Sequence, residues 1–257
     1  MIDPAVLSLI DTLANGREGP ALIGIAGAQG SGKTTLAKAA AAALGGAALS
    51  LDDVYLTRTE RARLAASIHP LLAVRGPPGT HDLDLADTVL DDLLSGRPAL
   101  LPRFDKLADD RTTPLAFAGG ARVVLVDGWC LGAAAQDEAA LATPVNALER
   151  DEDPDGTWRR WSNAALGGRY QKFFGRFDAV VHLAAPGFET VLDWRCEQEA
   201  GLLGLDPDAL PPERREAIAR FIQHFERITR HMLSGGAVAT TTVRLDAGRR
   251  TVSIATT

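Results

Sequence analysis

The sequence predicts an α/β fold, a mainly parallel sheet with helices on both faces, and three observations carry that expectation. Apolar runs of strand length alternate with helical patterns along most of the chain. Several of those runs, Ala21–Ala26 and Val123–Val126 among them, are apolar at successive rather than alternate positions, as strands covered on both faces are. Glycines and prolines punctuate the joints. With 257 residues, 46% of them hydrophobic, the chain can bury a substantial core and is read as one domain over 1–257.

Taken in order, Pro4–Ala14 is a short helix with Val6, Leu7, Ile10 and Leu13 on one side. Ala21–Ala26 is a strand, and the alanine-rich Lys33–Leu44 is a helix stopped by Gly45 and Gly46. Ala47–Leu51 is a second buried strand, ending on Asp52 and Asp53. Helices follow at Arg58–Ala66 and Leu83–Leu94, separated by a loop dense in glycine and proline, His69–His81. Leu100–Phe104 reads as an edge strand and Arg122–Val126 as a further buried one. Trp158–Phe174 is helical by pattern, Ala179–Leu183 is a strand, and Phe188–Ala200 and Arg214–Leu233 are helices. Thr241–Leu245 and Thr251–Ile254 close the sheet. The charged stretch Glu149–Gly156 reads as a solvated loop without chemistry.

The bulk charge excludes some function classes. A formal net charge of −6 argues against a nucleic-acid or anionic-membrane binder, which would carry a basic face. Cys130 and Cys196 stand far apart and form no Cys-x-x-Cys pair, so neither a disulfide framework nor a cysteine metal site is expected. The first residues lack a signal-peptide pattern, and no apolar run approaches the roughly 20 residues that span a bilayer. A cytoplasmic protein is expected; its oligomeric state is left open.

The decisive segment is Gly27-Ala28-Gln29-Gly30-Ser31-Gly32-Lys33-Thr34, followed by Thr35. It fits G-x-x-x-x-G-K-[ST], with a strand before it and a helix after it as that motif requires. The glycines let backbone N–H groups approach phosphate oxygens, and the helix N-terminus adds its positive dipole end. Lys33 reaches the β- and γ-phosphates and the Thr34 hydroxyl holds Mg²⁺, so ATP and Mg²⁺ are the expected cofactors. A three-layer sandwich of the P-loop NTPase type follows.

That motif binds a nucleotide and leaves the reaction open. Asp127 ends an apolar strand, where an acid can serve the metal. Asp105-Lys106-Leu-Ala-Asp109 has the wrong first residue and spacing for a guanine-reading segment, so a GTPase switch is disfavoured. Asp52-Asp53 lies at a strand's carboxyl end, where open parallel sheets bind ligands. A carboxylate there can accept the proton of an acceptor hydroxyl; one of the pair can equally cap the next helix.

Ser50-Leu-Asp-Asp-Val-Tyr-Leu-Thr57 resembles the Asp-Asp-Phe-Tyr segment of P-loop kinases related to uridine kinase, phosphoribulokinase and pantothenate kinase. The run of features from residue 22 to residue 199 is similar to the glycerate 3-kinase group. It comprises His69-Pro-Leu-Leu-Ala-x-Arg75-Gly-x-Pro-Gly-Thr-His81-Asp82, Pro102-Arg-Phe-Asp-Lys106, Asp127-Gly-Trp129 and Trp194-Arg195-x-x-Gln198-Glu199. The resemblance implies a Mg·ATP kinase making a phosphoglycerate from D-glycerate, with Asp52 as the base, Asp53 or Asp127 near the metal, and Arg195 on a lid over about 157–200. Val54 stands where the group tends to have Phe, and the segment before the last strands lacks the expected Pro and acid.

A small hydroxy acid needs cations for its carboxylate. Arg75, Arg103 and Lys106, in acceptor loops around 52–82 and 102–114, are the candidates, with Tyr55 and Asp53 beside them. His81 can hydrogen-bond the acceptor or hold its own loop. Arg195 can pair with Glu199 instead of reaching the site. Arg169, Lys172 and Arg176 read as a solvated helix face, and Trp158, Trp161 and Tyr170 as packing. Kinases for pantothenate, a nucleoside or a sugar, and a nucleotide-binding ATPase without acceptor, are the alternatives. The loop Ile68–His81 has no Phe, Tyr or Trp to stack on a nucleobase, which favours a small polar acid.

Overall fold

A computed structural model describes residues 3–16 and 18–256. The elements run α1 (Pro4–Ala14), β1 (Ala21–Gly27), α2 (Lys33–Leu44), β2 (Ala47–Ser50), α3 (Arg58–Ser67), α4 (Leu83–Leu94), β3 (Ala99–Asp105), β4 (Asp110–Phe117) and β5 (Val123–Gly128). The chain continues through α5 (Glu138–Ala142), α6 (Ala147–Glu152), α7 (Thr157–Ala165), α8 (Gln171–Phe174), β6 (Ala179–Ala184), α9 (Glu189–Leu203), α10 (Pro212–His231), β7 (Thr241–Leu245) and β8 (Thr251–Thr256).

Six strands form one sheet in the order β2-β5-β1-β6-β7-β8, parallel except for the last pair. β1 and β5 are buried at every position, which is why their sequences are apolar without alternation. One face of the sheet packs on α1 and α2 through Val6, Ile10, Leu36 and Ala40; the other packs on α4 and the 166–174 segment through Leu90, Leu93, Tyr170 and Phe173. The result is the α/β three-layer arrangement that the alternating pattern predicted. No described helix is long and apolar enough to cross a membrane.

The structure departs from the sequence expectations in several places. Residues 99–105 do not extend the main sheet: β3 pairs with β4 alone, as a separate antiparallel hairpin. The loop expected over 102–114 is therefore mostly ordered ladder, and β4 escaped notice because its side chains are largely exposed and show no hydrophobic alternation. The helix expected over 158–174 runs through as expected, with a π turn, Leu166–Tyr170, inside it. The charged stretch from Glu149 is not a solvated loop. Glu149 is fully buried in α6 and accepts from Arg227 Nε and Nη2 at 2.7 and 2.6 Å, while the buried Asp153 accepts from Arg159 Nη1 and the Trp158 amide. Their charges are balanced inside the protein by arginines from distant segments, which local composition cannot reveal. Arg169 and Arg176 likewise do not face only solvent: they bridge to Asp84, Asp87 and Asp91 of α4.

Candidate active site

Parallel register assembles the phosphate end of the site. Ser50 of β2 lies beside Asp127 of β5, and Ala26 of β1 beside Gly128, so the carboxyl ends of three strands meet below the 27–34 loop. Gly30 adopts φ 77°, and a Cβ there would sit 2.6 Å from Trp194 Cβ, so glycine is required twice over. The loop leads into α2 through Gly32, leaving the first N–H groups of the helix without side-chain caps and free for an anion. Ser31 Oγ and Gln29 Oε1 are buried with no hydrogen-bond partner within the protein. Lys33 is almost fully buried; burial weakens its hold on a proton, opposed by Asp52 and Asp127.

Thr34 Oγ1 donates to Asp127 Oδ1 at 2.6 Å, and Ser50 Oγ donates to the same oxygen at 3.2 Å. Burial raises the Asp127 carboxyl pKa, against the pull of Lys33 and Thr34. A hydroxyl and a carboxylate in contact beside a phosphate loop suit a hard divalent cation that takes its remaining ligands from phosphate and water. Among the described residues no three His, Cys, Asp or Glu side chains cluster as a self-sufficient metal site, so such a cation would depend on the nucleotide.

Asp52 lies in a 3₁₀ turn, Leu51–Val54, directly after β2. Its Oδ1 accepts from Tyr55 Oη and its Oδ2 from Lys106 Nζ, each at 2.7 Å. Burial alone would raise this carboxyl, but Lys106, Lys33 and the Tyr55 hydroxyl outweigh it and hold the pKa well below the usual carboxylate range. Asp53 points elsewhere: its Oδ1 accepts from the Phe104 amide at 3.0 Å and lies 3.9 Å from Arg103, tying the turn to β3. Burial raises its pKa.

A cavity of about 430 Å³ joins these groups. It is lined by Gln29, Gly30 and Gly32–Thr35 together with Asp52, Tyr55, Arg75, Lys106 and Arg195, and by Trp129, Phe221 and Phe225. Gly27, Ala28 and Ser31 of the same loop are buried and do not line it. Asp53, His81 and Arg103 do not line the cavity. His81 is buried under it, with Nδ1 2.5 Å from Tyr170 Oη; burial pushes its pKa down to about 4, so it is neutral and holds the loop. Tyr170 Oη also accepts from the Gly79 amide, and Trp129 Nε1 donates to Gly76 O at 3.0 Å. Gly79, at φ 97°, would place a Cβ 2.2 Å from Trp161. The glycine-proline loop is therefore clamped between Asp127-Gly-Trp129 and the π turn.

Arg75 reaches the cavity from that loop, paired with Asp109 and stacked 5.6 Å over Phe104. The fully buried Arg61 holds the other Asp109 oxygen at 2.8 Å. Arg195 of α9 donates to Gln198 at 2.7 Å and lies 3.9 Å from Glu199, so its expected i,i+4 neighbour and its place in the cavity coexist. Its Nε is buried without a partner within the protein.

Sequence reasoning missed Arg249. From the β7–β8 turn it donates to Gly30 O at 2.6 Å, stacks 5.1 Å from Trp194 and pairs with Glu197 at 2.6 Å. No signal near Gly248-Arg249-Arg250 announces this, because its partners lie more than fifty residues away. Phe221 and Phe225 were likewise hidden in the apolar stripe of α10.

No protein-family model matches the chain. It is 30% identical over 223 residues to the kinase mug58 of Schizosaccharomyces pombe, itself uncharacterised, covering 80% of this chain and 78% of that one. Among solved structures, D-glycerate 3-kinase from Cryptococcus neoformans var. grubii superposes with a TM-score of 0.80 at 22% identity, covering 99% of this chain and 98% of that one. The YGR205w protein superposes with a TM-score of 0.69 at 22% identity, over 99% and 94%.

Proposed function

We propose, from the premise that this chain belongs to the same kinase family as the fission-yeast kinase mug58, that it transfers the γ-phosphoryl group of ATP to a hydroxyl of a small hydroxy acid, D-glycerate being favoured. The observation that carries this reading is that Asp52, paired with Lys106, shares one cavity with Arg75, Arg195 and the 27–35 loop. An acid there meets an acceptor hydroxyl, and the cations meet the acceptor's carboxylate. An acceptor-free ATPase has no use for such a second half.

In this mechanism the 27–35 loop and Lys33 would seat the phosphates, and Thr34 and Asp127 would hold Mg²⁺, which would supply positive charge to the transferring group. Asp53, tied to the Phe104 amide, fixes the turn that aims Asp52 rather than binding metal. Asp52 is a weak base, and a weak base suffices for a loose transition state in which the acceptor proton leaves late. Its first task is to orient the hydroxyl. Arg195, with an uncommitted buried Nε, supplies positive charge over the transferring group.

The test is ADP release from MgATP with D-glycerate, with a panel of other hydroxy acids, nucleosides and sugars, and with no acceptor. Product is read as the mass gain of one phosphoryl group. Turnover with D-glycerate and little without supports the reading; equal turnover with and without any acceptor sinks it.

A further inference from the structure

Both oxygens of Asp52 are occupied, by partners of very different freedom. Tyr55, on Oδ1, is buried; its ring packs 4.8 Å from His81 and 5.2 Å from Phe104, and its backbone bridges to His81. Lys106, on Oδ2, has its side chain 56% exposed and stands at the tip of the β3–β4 hairpin on a flexible four-carbon stem. Only Lys106 can leave without disturbing packing. An acceptor hydroxyl that is to give its proton to Asp52 therefore needs the oxygen that Lys106 covers, and so does a water molecule.

We propose that Lys106 is a specificity-determining residue, which covers Asp52 Oδ2 until an acceptor brings an anionic group to take over its ammonium. The proposal rests on the kinase reading above and narrows it. A neutral polyol has nothing to exchange for the ion pair, whereas a hydroxy acid whose hydroxyl lies close along the carbon chain to its carboxylate replaces both ends of it. The carboxylate meets Lys106 together with Arg75, and the hydroxyl meets Oδ2. Water, having no anion, is kept from the base, so ATP is spared when no acceptor is present.

The step balances simply. The acceptor oxygen bonds to the γ-phosphorus through its lone pair while the bond from that phosphorus to the β,γ-bridging oxygen breaks. ADP departs with the electron pair, and the hydroxyl proton passes to Asp52 Oδ2. With water as acceptor the same bonds form and break, and inorganic phosphate is released.

The experiment compares the full-length protein with Lys106→Met, Lys106→Arg and the double variant Lys106→Met/Asp52→Asn. ADP release is measured with D-glycerate, with neutral glycerol and with no acceptor, and binding of a non-hydrolysable ATP analogue confirms an intact nucleotide site. Lys106→Met is expected to raise acceptor-free ATP hydrolysis roughly tenfold, raise KM for D-glycerate, and reduce the preference for D-glycerate over glycerol. Lys106→Arg restores most of that preference, and adding Asp52→Asn abolishes the gain in hydrolysis, which a merely structural role for Lys106 would not explain. If Lys106→Met lowers acceptor-free and acceptor-dependent turnover by the same factor, or leaves the preference unchanged while the unmodified protein responds to D-glycerate, the proposal fails and the kinase reading survives. If the unmodified protein responds to no hydroxy acid, both fail together.

Discussion

The two sides of the cavity are built on different principles. The phosphate side is backbone: glycine conformations, helix N–H groups and strand register place it, and Lys33 and Asp127 are nearly buried beneath. The proposed acceptor side is charged side chains carried by four separate segments: the turn after β2, the glycine-proline loop, the β3–β4 hairpin and α9. Each of its cations is held by an acid or amide of the protein itself, Lys106 by Asp52, Arg75 by Asp109, Arg195 by Gln198. A phosphate site common to many reactions can be fixed in backbone, whereas an acceptor site that must release one small molecule and take another is made of exchangeable ion pairs.

The sharpest way to break this contrast is at Lys33. Lys33→Ala is expected to lower kcat/KM about a thousandfold or more with every acceptor alike, because it serves the phosphates and not the acceptor. Asp52→Asn comes next: kcat falls by roughly 10² to 10⁴ while ATP-analogue affinity, measured by calorimetry, stays near that of the unmodified protein. A near-normal kcat would remove Asp52 from its assigned role. Arg75→Ala is expected to raise KM for the hydroxy acid about tenfold with little change in KM for ATP, the signature of lost acceptor binding alone.

The smallest effect concerns acid. His81, His182 and His224 are buried and their pKa values are pushed down to about 4 by burial. The unfolded chain binds protons more readily than the folded one between the ordinary value near 6.5 and that lowered one, so stability is full above the window and is lost as pH falls through it. Thermal melts across this range should show a declining Tm, and His81→Gln should flatten the decline by keeping a hydrogen-bonding side chain that does not titrate. His81 serves the acceptor loop, so the same titration should loosen acceptor binding before nucleotide binding.

How much was legible follows the same division. The phosphate loop, its flanking strand and helix, and Asp127 could be read in sequence because their chemistry is local: neighbouring residues build one turn, and a parallel strand displays itself as an unbroken apolar run. The Lys106 pairing with Asp52 could be listed but not joined, since fifty-four residues and a hairpin separate them. Sequence leaves Asp53 free to face the ligand and His81 open between the acceptor and its own loop, because an acid at a strand end and a histidine in a loop can do either; the structure turns Asp53 onto the Phe104 amide and His81 onto Tyr170.

By itself, then, the sequence determined the sheet, the glycine-rich 27–34 loop and the kinds of charge available near it, because periodicity, glycine placement and strand burial act over a few residues. Only the tertiary structure decided which charges meet. Arg249 on the Gly30 carbonyl, Asp109 between Arg61 and Arg75, and Glu149 on Arg227 are contacts between distant segments. Such pairs form where packing brings opposite charges into a partly buried space, and no local pattern in the chain encodes that meeting.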